Sequence, residues 1–140
     1  MSLPDKLRFR LLAAAGHLGI SALLAAAVAL VTLGLWYPGA FAEMAGGRRL
    51  FLLILGVDVV MGPLLTLIVF DIGKPRRELV RDLAVIGVLQ LAALAYGLHT
   101  LYVARPVALA YEPGRFRVVA ANEVPTERLG QARAEYRSLP

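Results

Sequence analysis

The chain has 140 residues, 59% of them hydrophobic, and a formal net charge of +5. That length excludes two ordinary domains, and the absence of cysteine excludes disulfides, thiolate metal sites and cysteine nucleophiles. The mean hydropathy of +0.67 is high for a soluble protein, and the basic excess fits cationic flanks of membrane spans better than a nucleic-acid surface.

Residues 1–10 form a short basic lead-in with Lys6, Arg8 and Arg10. Residues 11–42 then contain no Asp, Glu, Lys or Arg. A helix needs roughly 20 apolar residues to cross a bilayer core of about 30 Å, so this block predicts a first span over about 11–36. The run is too long for the apolar region of a signal peptide, and Ala40, Phe41 and Ala42 make a poor cleavage site. Gly16, Gly19, Ser21, Ala25 and Ala29 give the span a small-residue face for close helix approach. His17, near its start, reads as a snorkelling or helix-bonding residue rather than a metal ligand.

The stretch "WYPG" (36–39) ends the span. Trp36 and Tyr37 suit the headgroup level, and Pro38 with Gly39 turns the chain. A second span over about 50–70 carries one acid, Asp58, and a helix-disrupting step, Gly62-Pro63. The polar stretch "DIGKPRRELVRD" (71–82) follows as a short connection, which predicts antiparallel packing of the second and third spans. The third span covers about 83–104, so 11–104 reads as a three-helix transmembrane domain. Tyr102 anchors its far end.

Lys6, Arg8, Arg10, Lys74, Arg76, Arg77 and Arg81 lie on one side of the spans, against Arg48, Arg49 and Arg105 on the other. The positive-inside rule then puts the N-terminus in the cytoplasm and the C-terminus outside, which is the periplasm in a Gram-negative cell. In the tail, 105–140, Arg105-Pro106 breaks the helix. Residues 107–112 alternate Val107, Leu109 and Tyr111 on one face, then Pro113-Gly114 and "RFRVVA" (115–120) follow, which predicts a β-hairpin. Residues 125–138 offer Thr126 as an N-cap for a short, weakly amphipathic helix. The fold class is therefore mainly α, an integral membrane protein of three transmembrane helices with a short periplasmic hairpin and helix.

An ionisable residue inside a span invites a functional reading. Counting at about 1.5 Å per residue, Asp58 lies level with Tyr96, and His99 sits one turn above. Either could donate to its carboxyl. Pro63 leaves the Val59 carbonyl without a helical donor, and Gln90 lies at the right depth to supply one. Asp58, Tyr96, His99 and Gln90 thus form a candidate intramembrane polar layer for helix docking, beside a kink at Gly62 and Pro63. Trp36, Tyr37, Pro38, Arg105 and Pro106 are candidate interface anchors. No G-x-S-x-G, H-E-x-x-H or P-loop pattern is present. The expectation is a non-enzyme with no cofactor, no metal and no nucleic-acid partner.

The segments "LWYPGAF", "LLILGVDVVMGPLLTLIVF" and "DLAVIGVLQLAALAYGLHTLYVARPVALAYEPGRFRVV" resemble the type IV pilin accessory proteins of the TfpX/TfpZ-like family over about residues 8–124. The matched residues are Trp36, Tyr37, Pro38, Asp58, Gly62, Pro63, Thr66, Asp82, Gln90, Tyr96, Gly97, Arg105 and Pro106. The resemblance implies a chaperone-like accessory factor of the bacterial inner membrane that binds type IV pilin, within a hetero-oligomer in the lipid bilayer, and supports its assembly into pili. It also implies a longer periplasmic region than the one ending here at Pro140. Two other readings remain open. One is a small structural subunit of a different inner-membrane complex, respiratory or secretory. The other is a small proton-coupled transporter, against which three spans without inverted repeats weigh.

Overall fold

A computed structural model describes residues 3–137 of the chain. Its elements, in order, are α1 (Leu3–Val31), a π-helical turn (Thr32–Trp36), α2 (Phe41–Met44), α3 (Gly47–Val69), α4 (Arg76–Val103), β1 (Pro106–Glu112) and β2 (Arg115–Ala120), followed by 3-10 turns. Three segments, Pro4–Trp36, Gly47–Val69 and Arg76–Val103, are helical, long and apolar enough to cross a membrane. Large apolar side chains on all three stand open, among them Leu23 at 75%, Leu30 at 77% and Ile68 at 71% exposure. Helices that are apolar all round, with so little of that surface covered, are suited to lipid rather than to water.

The helices outrun the apolar blocks. α1 takes in Lys6, Arg8 and Arg10, and α4 begins at Arg76 instead of after residue 82. Charge ends the lipid-compatible stretch without ending the helix. The connection from α3 to α4 is correspondingly brief, because Pro75 starts α4 by accepting hydrogen bonds from the backbone of Glu78 and Leu79. Pro75 has no backbone N–H to leave unpaired there.

The chain groups into two compact units. The first comprises Met1–Val28 and Leu52–Gly97. In it the inward positions recur at helical spacing. Arg10, His17, Ser21, Ala25 and Val28 face in along α1, Asp58, Gly62 and Thr66 along α3, and Ile86, Gln90, Leu94 and Gly97 along α4. The glycines of the small-residue face behave differently. Gly16 and Gly19 are exposed and have nothing near their missing Cβ positions. The close approach occurs at Gly97, where a Cβ would lie 2.6 Å from Cγ2 of Ile54. Glycine there lets α3 and α4 touch.

The second unit comprises Ala29–Phe51 and Leu98–Pro140. Its centre is Tyr37, 2% exposed, whose hydroxyl donates to the Leu101 carbonyl at 2.9 Å. That carbonyl belongs to the last turn of α4, where helical donors run out. The π-helical turn delivers Tyr37 to this position, closing with Tyr37 N–H donating to the Thr32 carbonyl at 2.8 Å. A Cβ at Gly47 would overlap the Tyr37 ring. Trp36 meets Tyr102 edge-on at 5.2 Å.

β1 and β2 pair antiparallel, with Leu109 opposite Val118 and Tyr111 opposite Phe116. A register irregularity falls between Pro106 and Ala108. Gly114, at φ +87°, makes the Pro-Gly turn as the alternation expects. The predicted C-terminal helix is not formed. Among the described residues, Thr126–Gln131 and Ala134–Tyr136 are 3-10 turns, Thr126 caps nothing, and Ser138 lies outside the described residues. Gly130 interrupts the segment and nearly all of it is exposed, so no packing offsets the cost of nucleating a helix.

Candidate functional site

The first unit holds a cleft of about 210 Å³ lined by α1, α3 and α4. Its apolar walls include Ile20, Leu24, Leu55 and Leu91, and four polar side chains break them: His17, Ser21, Asp58 and Gln90. His17 and Ser21 sit one turn apart on α1, so a single helical face presents both. Asp58 is the twelfth of the 23 residues of α3, about 16 Å from its first residue at 1.5 Å per residue. That is near mid-membrane for a spanning helix.

Two hydrogen bonds fasten the walls. His17 Nδ1 and Thr66 Oγ1 are bonded at 2.5 Å, joining α1 to α3, and Thr66 is 2% exposed. Gln90 Nε2 donates to the Asp58 carbonyl at 3.0 Å, joining α4 to α3. The sequence pairs Gln90 with the Val59 carbonyl, four residues before Pro63. The observed acceptor is the neighbouring carbonyl, in the same turn of helix. Gly62 explains the difference. A Cβ there would overlap the Gln90 amide, so the side chain reaches α3 through the space that Gly62 leaves, beside the Asp58 carbonyl.

The Asp58 carboxylate has no hydrogen-bond partner among the described residues. Tyr96, its expected partner, is 75% exposed, and His99 is an exposed residue of the second unit. The polar groups that share the Asp58 cleft are instead His17, Ser21 and Gln90. His17 bonds a neighbouring helix, as its position suggests, and it also lines the cleft, which residue counting alone does not show. The i, i+4 spacing of His17, Ser21 and Ala25 carries that signal, since it puts two polar residues on one otherwise apolar stripe. Among the described residues, no three His, Asp or Glu side chains gather to hold a metal ion.

The anchor residues lie in the second unit. Tyr37 is buried, whereas Trp36 is half-buried against Tyr102. The Arg105 guanidinium stands 3.9 Å from the centre of the Tyr102 ring and also donates to the Tyr102 carbonyl. Pro38 is exposed, and Pro106 opens β1.

A model of the family described as "Fimbrial assembly protein FimB" matches residues 5–46. Three proteins of Dichelobacter nodosus are similar along most of the chain. The fimbrial assembly proteins of serogroups I and E1 are 40% and 39% identical over 135 residues, 94% of this chain. The chain spans about half the length of these two relatives, 52%. The fimbrial assembly protein of serogroups C1 and C2 is 39% identical over 127 residues, which are 88% of this chain and 97% of that one. No solved structure matches. On the strength of a match that runs almost the whole length of that relative, the chain belongs to the family of fimbrial assembly proteins.

Proposed function

We propose that this chain is an accessory factor of fimbrial biogenesis, embedded in the bacterial inner membrane with its N-terminus cytoplasmic and its C-terminal hairpin periplasmic. It binds the type IV pilin subunit in a chaperone-like way before assembly, with the pilin's membrane helix docked at the cleft and a polar side chain of that helix entering it. The relatives' description as fimbrial assembly proteins supports the biological setting. The observation that carries the binding role is the Asp58 carboxylate, turned to an apolar cleft without a hydrogen-bond partner among the described residues.

A polar group left unpaired in hydrocarbon costs several kcal/mol. A helix that brings a donor into the cleft offsets that cost, while the apolar walls cover its other side chains. His17, Ser21 and Gln90 allow the incoming group to be bonded on more than one side. None of this requires catalysis or a cofactor. Asp58→Ala tests the reading: pilin recovery in a pull-down falls while the variant's own membrane abundance stays normal. If the variant vanishes from the membrane, Asp58 serves the fold and not the docking of pilin. Copurification of a different inner-membrane machine, with no pilin, would replace the reading altogether.

A further inference from the structure

At the N-terminal end of α1, a second cavity of about 610 Å³ is lined by Pro4, Lys6, Leu7, Arg10 and Asp71. Lys6 and Arg10 are one turn apart, so they share a face of the helix and are half-buried there, whereas Arg8 is exposed. Asp71 follows the end of α3 and meets Arg10 through Nη2 at 3.5 Å. Its other carboxylate oxygen accepts the Gly73 N–H at 2.9 Å. Asp71 engages one of the three nitrogens of the Arg10 guanidinium. Its Nε is buried and has no hydrogen-bond partner among the described residues.

The lining therefore carries two cations against one carboxylate, a net charge of +1. Pro4 and Leu7 add an apolar wall. These are the requirements for holding a phosphate monoanion next to hydrocarbon. The cavity lies beyond the last apolar turn of α3, at headgroup level if α3 spans a bilayer. The geometry points to a site for the headgroup phosphate of an anionic phospholipid, held by Lys6 and the guanidinium of Arg10. Asp71 holds the guanidinium in place from its other edge, and lipids whose headgroups are net neutral bind less well because the site keeps one uncompensated positive charge.

The test uses the full chain in mild detergent, with phosphatidylglycerol and phosphatidylcholine supplied in equal amounts and bound lipid read by native mass spectrometry. Phosphatidylglycerol is retained preferentially, by about fivefold for each engaged cation. Lys6→Gln, which leaves the Arg10–Asp71 pair in place, and Arg10→Gln each reduce that preference. Arg8→Gln, on the exposed face, leaves it unchanged. Equal retention of the two lipids by the unmodified chain overturns the proposal without any variant. So does an equal loss in Arg8→Gln. Displacement of phosphatidylglycerol by millimolar inorganic phosphate shows a site for the free anion and also overturns it.

Discussion

Gln90 occupies the space that a side chain at position 62 would fill: its amide reaches the Asp58 carbonyl through the gap left by Gly62. Glycine and glutamine are thus one device. Glycine at 62 opens a passage to α3, and glutamine on α4 donates through it to the Asp58 carbonyl, one residue before the Val59 carbonyl that Pro63 leaves without a helical donor. The floor of the cleft and the junction of α3 with α4 are the same feature.

Gly62→Ala therefore expels the Gln90 amide and destabilises the helix pair by about 1–3 kcal/mol. Gln90→Ala removes one interhelical bond, worth about 0.5–2 kcal/mol. The two effects are not additive, because Gly62→Ala in a Gln90→Ala background meets no amide to expel. Unfolding measured for both single variants and the double variant gives the coupling. Simple addition of the two costs would contradict the arrangement.

Tyr37 supports a separate expectation in the second unit. Tyr37→Phe keeps the ring and loses the bond to the Leu101 carbonyl, at a cost of about 0.5–1.5 kcal/mol. Gly47→Ala pushes a methyl group into the ring itself and costs more, about 1–3 kcal/mol. Thermal unfolding of the two variants should rank them in that order. Hydrogen exchange in the last turn of α4 should rise in Tyr37→Phe.

Asp71 predicts a pH dependence. The Gly73 N–H bonded to its carboxylate, and then the charges of Lys6, Arg10 and Lys74, hold its pKa below the usual aspartate value. A group depressed in the folded state contributes stability that is fully present above its unfolded pKa, about 3.9. That contribution is lost as pH falls through the folded value. The turn joining α3 to α4 should hence become more susceptible to proteolysis only in acid. Asp71→Asn should show the acid-like susceptibility at neutral pH and a flatter profile below pH 4.

Much of this fold can be read from residue types. Three charge-poor blocks announce three helices, and Pro113-Gly114 between alternating runs announces the hairpin. Block length cannot locate helix ends, because Arg and Lys are good helix formers that end an apolar run without ending the helix. That is why α1 starts at Leu3 and α4 at Arg76. The π-helical turn that buries Tyr37 has no sequence signature. Around Asp58, counting residues fixes depth but not rotation. Depth found Gln90 to within one carbonyl. Rotation decides that His17 and Ser21, not Tyr96, line the Asp58 cleft, and it became visible only with the helices packed.

The central claim is that the pilin's membrane helix docks at the cleft, and photo-crosslinking inside cells tests it most directly. Leu91 lines the cleft, whereas Leu89, two residues away, lies among Arg81, Ala84, Val85 and Val88 on another face of α4. A photoreactive residue at 91 should crosslink pilin, and one at 89 should not. Equal crosslinking from both positions, or crosslinking from 89 alone, would contradict the account.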